Sequence, residues 1–149
     1  MTADFETIIA GFGDRRVMVV GDIVADQYLD GTITRVSREA PVFILRHDET
    51  RTFPGAAANA AANVAALGAA PTLVGVVGDD AASEDLGSAL ERAGIEQESI
   101  VRSVRSRTTT KVRVLGGQPH AARPEIFRFG DESDRPTSAP DEPPRDWTP

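Results

Sequence analysis

Two asparagines, Asn59 and Asn63, stand four residues apart in the run Gly55-Ala56-Ala57-Ala58-Asn59-Ala60-Ala61-Ala62-Asn63-Val64-Ala65-Ala66-Leu67-Gly68, directly after the turn signal Phe53-Pro54. Residues at i and i+4 share a helix face, and Asn is a mediocre helix former. Two of them on one face of a small-residue helix point to a small polyhydroxylated ligand held at the helix start. The Asn59 amide both donates to and accepts from hydroxyls, and Gly55, lacking a Cβ, lets the backbone come close to a ligand. The competing reading is an ordinary helix start with Asn in its first turn. The alanines read as structural, permitting tight packing of helix on sheet, and Asn63 as a packing or backbone-bonding residue. Upstream, Asp22 and Asp26 follow the apolar run from Arg16 to Gly21. An acid at a strand end can accept hydrogen bonds from hydroxyls or bind a metal. Asp22 reads as a turn cap; Asp26, beside a glycine turn and a polar helix start, reads as a ligand contact.

Lys111 and Arg113 alternate with Val112 and Val114. On a strand the valines face a core while Thr109, Lys111 and Arg113 share the other face. There a cationic pair can meet a phosphate or stand solvated. Arg102, Arg105 and Arg107 make the neighbourhood generally cationic, which leans toward the solvated face and leaves a weak nucleic-acid alternative. The chain as a whole carries 16 basic against 23 acidic residues, a net charge of −7. It lacks the basic footprint of a general nucleic-acid binder, and no nucleic-acid partner is expected. His47 and His120 are isolated, without metal-ligand spacing, and read as surface residues. The absence of cysteine excludes disulfides, thiolate metal sites and Cys nucleophiles. The sequence holds no Gly-x-Ser-x-Gly elbow, no Gly-x-x-x-x-Gly-Lys-Ser/Thr loop and no Gly-x-Gly-x-x-Gly after a strand. It carries no self-contained nucleotide-binding signature.

The elements that must position these residues follow from periodicity. The 149 residues suffice for one domain with a real core. With only 5% aromatics that core is built from Val, Ile, Leu and Ala. Residues 1–15 predict a short helix. Arg16 to Gly21 and Thr72 to Val77 read as buried parallel strands, apolar on both faces and each ending in Gly-Asp. Gln27 to Ser37 and Pro41 to Thr52 mix aromatic and β-branched residues with charges, as half-exposed strands do. Helices are predicted over about 56–67, with Gly68 as a C-cap candidate, and over 82–93, with Leu86 and Leu90 at i, i+4. Further strands are expected at 99–104 and 108–115, and a short one at 126–129. From Asp131 to Pro149 the chain carries five prolines and six acids with no aliphatic pattern, a composition that cannot offset its ordering entropy. The expected organisation is therefore an ordered part over 1–130 and a disordered Pro-rich acidic tail over 131–149. The strand–helix alternation implies an α/β fold with a parallel sheet, and ligands in such sheets sit outside the carboxyl ends of the strands. No charged segment leads into a long apolar run, and none approaches the roughly 20 residues of a membrane span. A cytoplasmic protein without a membrane partner is the expectation.

Five segments in order carry a resemblance: Val-Val-Gly-Asp-Ile-Val-Ala-Asp-Gln-Tyr (19–28), Arg-Val-Ser-Arg-Glu-Ala-Pro-Val (35–42), Pro-Gly-Ala-Ala-Ala-Asn (54–59), Leu-Val-Gly-Val-Val-Gly-Asp-Asp (73–80) and Thr-Thr-Thr-Lys-Val-Arg-Val (108–114). Together they resemble the N-terminal half of ribokinase-like (PfkB-type) carbohydrate kinases, over roughly residues 15–130. The closest branch is the heptose 7-phosphate kinase domain of ADP-heptose synthesis, to which Ser-x-Glu-Ala-Pro-Val is the most specific pointer. The resemblance implies a partial ribokinase-like fold: a parallel sheet flanked by helices, plus a small β lid formed by the strands at 27–52 and 99–115, with the sugar between. By the family pattern Asp26 would bond sugar hydroxyls, Gly55 and Asn59 would sit against the sugar, and Lys111 and Arg113 could reach a sugar phosphate. Lids in this family often pair between subunits, which makes a homodimer an expectation.

Two departures qualify the resemblance. The branch usually carries two adjacent glycines after the proline; here the second is Ala56, whose methyl could crowd the sugar. Family members are also about twice this length. Their C-terminal half supplies Asp-Thr-x-Gly-Ala-Gly-Asp, whose backbone amides stabilise the transferring phosphate and whose last Asp is the general base. That motif is absent from these 149 residues. ATP and Mg2+ serve the full-length family, and neither is expected to bind this chain alone. The expectation is thus a carbohydrate kinase fragment acting on a sugar phosphate, without catalytic residues and without turnover of its own. The alternatives are a non-catalytic sugar-phosphate-binding or lid-mediated interaction module, or a non-functional remnant.

Overall fold

The computed structural model describes residues 5–118 and 122–131. In chain order its elements are α1 (Phe5–Ala10), a 3₁₀ turn (Phe12–Asp14), β1 (Arg16–Val20), β2 (Ile23–Val36), β3 (Phe43–Ala56), α2 (Ala57–Ala66), β4 (Ala70–Gly78), α3 (Ala81–Arg92), β5 (Ile100–Ser103), β6 (Thr109–Gly117) and β7 (Glu125–Asp131). They form two sheets. The apolar runs β1 and β4 pair in parallel, Arg16 opposite Ala70 through Val20 opposite Val74, and β5 extends this sheet in the order β1-β4-β5. The second sheet has the order β3-β2-β6-β7. Within it β2 runs antiparallel to β3 and parallel to β6, and β7 returns antiparallel to β6.

The core lies where α2 and α3 meet the sheets. Ala58 and Ala61, at i and i+3 of α2, are fully buried and bring the helix against Ile23, Ala25, Leu73 and Val77. A larger side chain at either position would hold the helix off the sheet, so the alanine run is a packing device. Leu86 and Leu90 of α3, with Ile95 beyond it, complete the same cluster; each buried leucine contributes about 1.5–3 kcal/mol relative to an exposed one. α2 ends as its sequence predicts, with Gly68 at φ +90° beyond Leu67, a left-handed turn that glycine enters without a Cβ penalty. At the head of α3, Asp80 and Ser83 form a reciprocal capping box. The Asp80 carboxylate also accepts from the Thr108 amide at 2.8 Å and the Thr108 hydroxyl at 2.7 Å, while Thr108 Oγ1 accepts from the Gly78 amide at 2.9 Å. Burial alone would push the Asp80 carboxyl up; the bonds from Thr108 and the Ser83 amide outweigh it and hold the group below its ordinary value. Because Thr108 directly precedes β6, this knot ties the head of α3 to the second sheet.

Three expectations need correcting. The strand at 99–104 does not belong to the lid: β5 pairs in parallel with β4, Gly75 opposite Ile100, and the lid is completed instead by β7. Nor is β1 buried on both faces. Met18 and Val20 share a face that, among the described residues, nothing covers; Val19 packs on the α2 side, and Val17, on that same side at the start of the strand, is still 36% exposed. Asp131 closes β7, opposite Thr110, and pairs with Arg107 at 2.8 Å. The remainder of the expected tail, like His120, lies outside the described residues. Among those residues no helix is long and apolar enough to cross a membrane.

Candidate functional site

β2 links the two sheets. Its first residues, Ile23, Val24 and Ala25, are buried in the core; from Asp26 onward it runs into the lid. Side chains on alternate positions of a strand share a face, so Asp26, Tyr28 and Asp30 point together. The register places Phe53 opposite Asp26 and Arg51 opposite Tyr28 on β3, and Lys111 opposite Asp26 and Arg113 opposite Tyr28 on β6. One face of the lid thus gathers Asp26, Tyr28, Asp30, Arg51, Phe53, Lys111 and Arg113. Beneath it an open cavity of about 410 Å³ is lined by Asp26, Tyr28, Arg51, Phe53, Pro54, Asn59 and Leu115.

The floor is aromatic: Tyr28 and Phe53 meet edge-to-face, with ring centroids 5.4 Å apart. At the α2 end stand two polar groups. Asp26 is held by Arg113, whose Nη1 donates to Oδ1 at 3.0 Å. Asn59, in the first turn of α2, is exposed, and among the described residues its amide makes no protein hydrogen bond. Gly55 leaves room for Asp26. A Cβ on Gly55 would stand 2.8 Å from Asp26 Oδ2 and 3.1 Å from the Val24 carbonyl oxygen, so the bare Cα is what gives the carboxylate its place.

The sequence-predicted residues therefore converge unequally. Asp26 and Asn59 line the cavity and Gly55 supports Asp26. Arg113 points at the site but is engaged on three sides: Asp26, Glu125 at 3.9 Å, and the Tyr28 ring 5.0 Å beneath its guanidinium. Lys111 is exposed, does not line the cavity and forms no ion pair among the described residues. Asn63 is exposed as well and lies outside the cavity lining; of the packing or backbone-bonding role read for it, the structure shows its carbonyl accepting from the Leu67 amide. The Asp22 carbonyl, not its carboxylate, accepts from the Ala57 amide at 3.0 Å. Ala56 does not line the cavity. Its consequence is conformational, since it sits at φ 49°, ψ −121°, the glycine corner of a type II′ turn. His47 is exposed and bonds Thr50 Oγ1 at 2.9 Å.

Sequence reading missed Arg51. Both its Nε, at 3.2 Å, and its Nη2, at 2.8 Å, donate to Asp30 Oδ2, and the carboxylate holds the guanidinium above its ordinary range. The signal was the alternation Glu49-Arg51-Phe53 facing Asp30-Tyr28-Asp26, visible only once β2 and β3 are set in register.

The family description "pfkB family carbohydrate kinase" matches residues 14–134. The "Bifunctional protein HldE" of Azorhizobium caulinodans is 42% identical over 127 residues, which cover 85% of this chain and 26% of that protein. That of Gluconobacter oxydans is 42% identical over 123 residues, 82% of this chain and 26% of that protein. Among solved structures, a carbohydrate kinase from Agrobacterium tumefaciens aligns with a TM-score of 0.58 at 20% identity, covering 78% of this chain and 35% of its own. Arabidopsis thaliana ribokinase, complexed with ribose and ATP, aligns with a TM-score of 0.56 at 22% identity over the same shares. The fold is the ribokinase-like one, present in part. The chain spans about a quarter of the length of the curated relatives it matches. On the match over 14–134, it belongs to the pfkB family of carbohydrate kinases.

Proposed function

We propose that this chain supplies the substrate-holding part of an ATP-dependent sugar kinase and that its substrate is a phosphorylated heptose, heptose 7-phosphate, seated in the cavity between the lid and α2. The observation that carries the reading is the convergence of the Asp26 carboxylate and the unbonded Asn59 amide on a cavity floored by Tyr28 and Phe53. A carboxylate accepts from sugar hydroxyls, an amide does both, and an aromatic floor takes the apolar face of a sugar ring. Gly55 keeps Asp26 in place, and Arg113 on the same lid face holds its carboxylate. The HldE proteins are relatives on the same segment, and the Ser-x-Glu-Ala-Pro-Val piece supports the heptose branch.

The chain's own residues bind and orient the sugar and shield it from water; none is assigned a catalytic role. In the family, ATP, Mg2+, the base and the anion hole go with the Asp-Thr-x-Gly-Ala-Gly-Asp motif, which these 149 residues do not contain. On this reading the 149 residues alone are not expected to turn over, since phosphoryl transfer depends on the positioning and charge stabilisation that this motif supplies. Titration calorimetry with heptose 7-phosphate tests the site, and failure to bind overturns it. A coupled ADP-release assay tests the missing activity, and clear turnover by the purified chain overturns that part. A second reading, association of two lids into a homodimer, is favoured by the exposed Val36, Val42 and Phe43 near the β2–β3 hairpin tip. Light scattering on the purified chain and on Phe43→Asp decides it: a wild-type monomer rules it out.

A further inference from the structure

The cavity has two chemically different ends. At one, Asp26 and Asn59 present oxygen and amide groups; at the other stands Arg51, the one cation lining the cavity among the described residues. Along β3, Arg51 lies two positions from Phe53, which faces Asp26, a rise of about 7 Å. The Tyr28–Phe53 pair fills the interval. A ring with hydroxyls at Asp26 and an anionic group at the end of its side chain would lie along this floor.

Arg51 is built for that role in a way that the other cations are not. Its guanidinium is fixed by two bonds to one oxygen of Asp30, a carboxylate whose side chain is only 10% exposed. Nη1 has no protein acceptor among the described residues, and the side chain is 46% exposed. Two carboxylates approach Arg51, Asp30 and the exposed Glu49 at 4.0 Å, both on the Nε and Nη2 side, which leaves Nη1 open; Asp30 is itself shared with Arg123, 3.8 Å away. Arg113, by contrast, is 20% exposed and engaged by Asp26, Glu125 and Tyr28. A pinned guanidinium with free N–H groups is the geometry that binds phosphate through paired hydrogen bonds.

We propose that Arg51 is the specificity-determining residue of the site: it binds the phosphate of the sugar phosphate and discriminates against the unphosphorylated sugar. The inference rests on the reading of the cavity as a heptose 7-phosphate site. The test is calorimetric titration of the whole chain, wild type and Arg51→Gln, with heptose 7-phosphate and with the unphosphorylated heptose. The wild type is expected to prefer the phosphorylated sugar. Arg51→Gln is expected to lose about tenfold or more in affinity for it, with the free sugar bound as before, which also shows the variant folded. Arg51→Lys, which keeps a cation beside Asp30, serves if the glutamine variant does not fold, and is expected to lose part of the preference. An unchanged preference in the folded variant overturns the proposal while leaving the sugar site standing; so does a wild type that binds both sugars alike. A wild type that binds neither overturns the site, and this inference with it.

Discussion

Replacing Ala56 by glycine should make the protein more stable, although glycine within a helix ordinarily weakens a fold. Ala56 stands at φ 49°, ψ −121°, where a Cβ is strained; non-glycine residues in such regions cost of order 1–3 kcal/mol. Glycine removes that strain but frees the unfolded chain by about 0.4–1 kcal/mol. The methyl group is exposed, so little burial is lost. The net expectation is a gain of about 1 kcal/mol, which at a urea m-value of about 2 kcal/mol/M raises the unfolding midpoint by about 0.5 M. The same substitution at Ala61, only five residues on, should have the opposite sign. Ala61 is a fully buried helix-interior residue; there glycine loses about 1 kcal/mol of helix propensity and about 0.8 kcal/mol of buried methyl. Urea unfolding of the two variants, followed by far-UV circular dichroism, reads both signs. If Ala56→Gly is neutral or destabilising while Ala61→Gly behaves as stated, the backbone argument at the α2 entrance is refuted.

Four further outcomes are expected. Gly55→Ala puts a Cβ 2.8 Å from Asp26 Oδ2; overpacking should cost about 1–3 kcal/mol and heptose 7-phosphate affinity should fall at least about tenfold, so retained affinity in calorimetry would show that the glycine does not place Asp26. Asp26→Asn should weaken heptose 7-phosphate and free heptose alike, as loss of a hydroxyl acceptor does, whereas a loss confined to the phosphorylated sugar would point to Arg113 as the group disturbed. Lys111→Gln should change affinity less than about twofold, since the side chain neither lines the cavity nor pairs; a large loss would return the lysine to the site. Asp80→Asn keeps the cap but turns an NH2 toward the Thr108 amide that Asp80 Oδ2 now accepts from, and should destabilise by about 1–2 kcal/mol at pH 7. Since the folded carboxyl lies below its ordinary 3.8, its contribution is fully present above that value and lost as pH falls through the lower folded one. The gap between the urea midpoints of wild type and variant should therefore narrow from pH 7 to pH 3, and a constant gap refutes the assignment.

The fold was legible where pattern and packing coincide. The apolar run at 72–77, the small-residue helix after Pro54 and the Leu86–Leu90 pair all report a buried face directly. It was not legible where the deciding fact is a partner strand. Residues 100–103 read as a half-exposed strand of the lid, and only pairing with β4 assigns them to the parallel sheet. Apolarity at Val17, Met18 and Val20 predicts burial, but burial depends on a covering layer that the strand's own sequence does not encode. In the site, Asp26, Gly55 and Asn59 were accessible because each stands at an element boundary with an unusual residue type. Arg51 sits mid-strand among Glu49, Thr50 and Thr52, in a run that local reading takes for a solvated edge. The backbone strain at Ala56 has no local signature except the departure from a glycine pair.

The parallel pairing of β2 with β6 has a consequence for how the molecule comes to exist. β2 and β3 are joined by a short hairpin and can meet as soon as both are made. The third lid strand cannot: Val24 pairs with Thr109, 85 positions later, and β3, α2, β4, α3 and β5 all lie between. Contacts of such high sequence separation are slow to form, and a parallel neighbour requires its crossover to be in place first. During synthesis the hairpin keeps one edge unpaired until β6 has been made, and the Asp80–Thr108 knot holds the head of β6 beside α3. The lid is thus closed by the most distant strand pairing of the described fold, and excising it as a separate unit would leave a strand order that no local turn can restore.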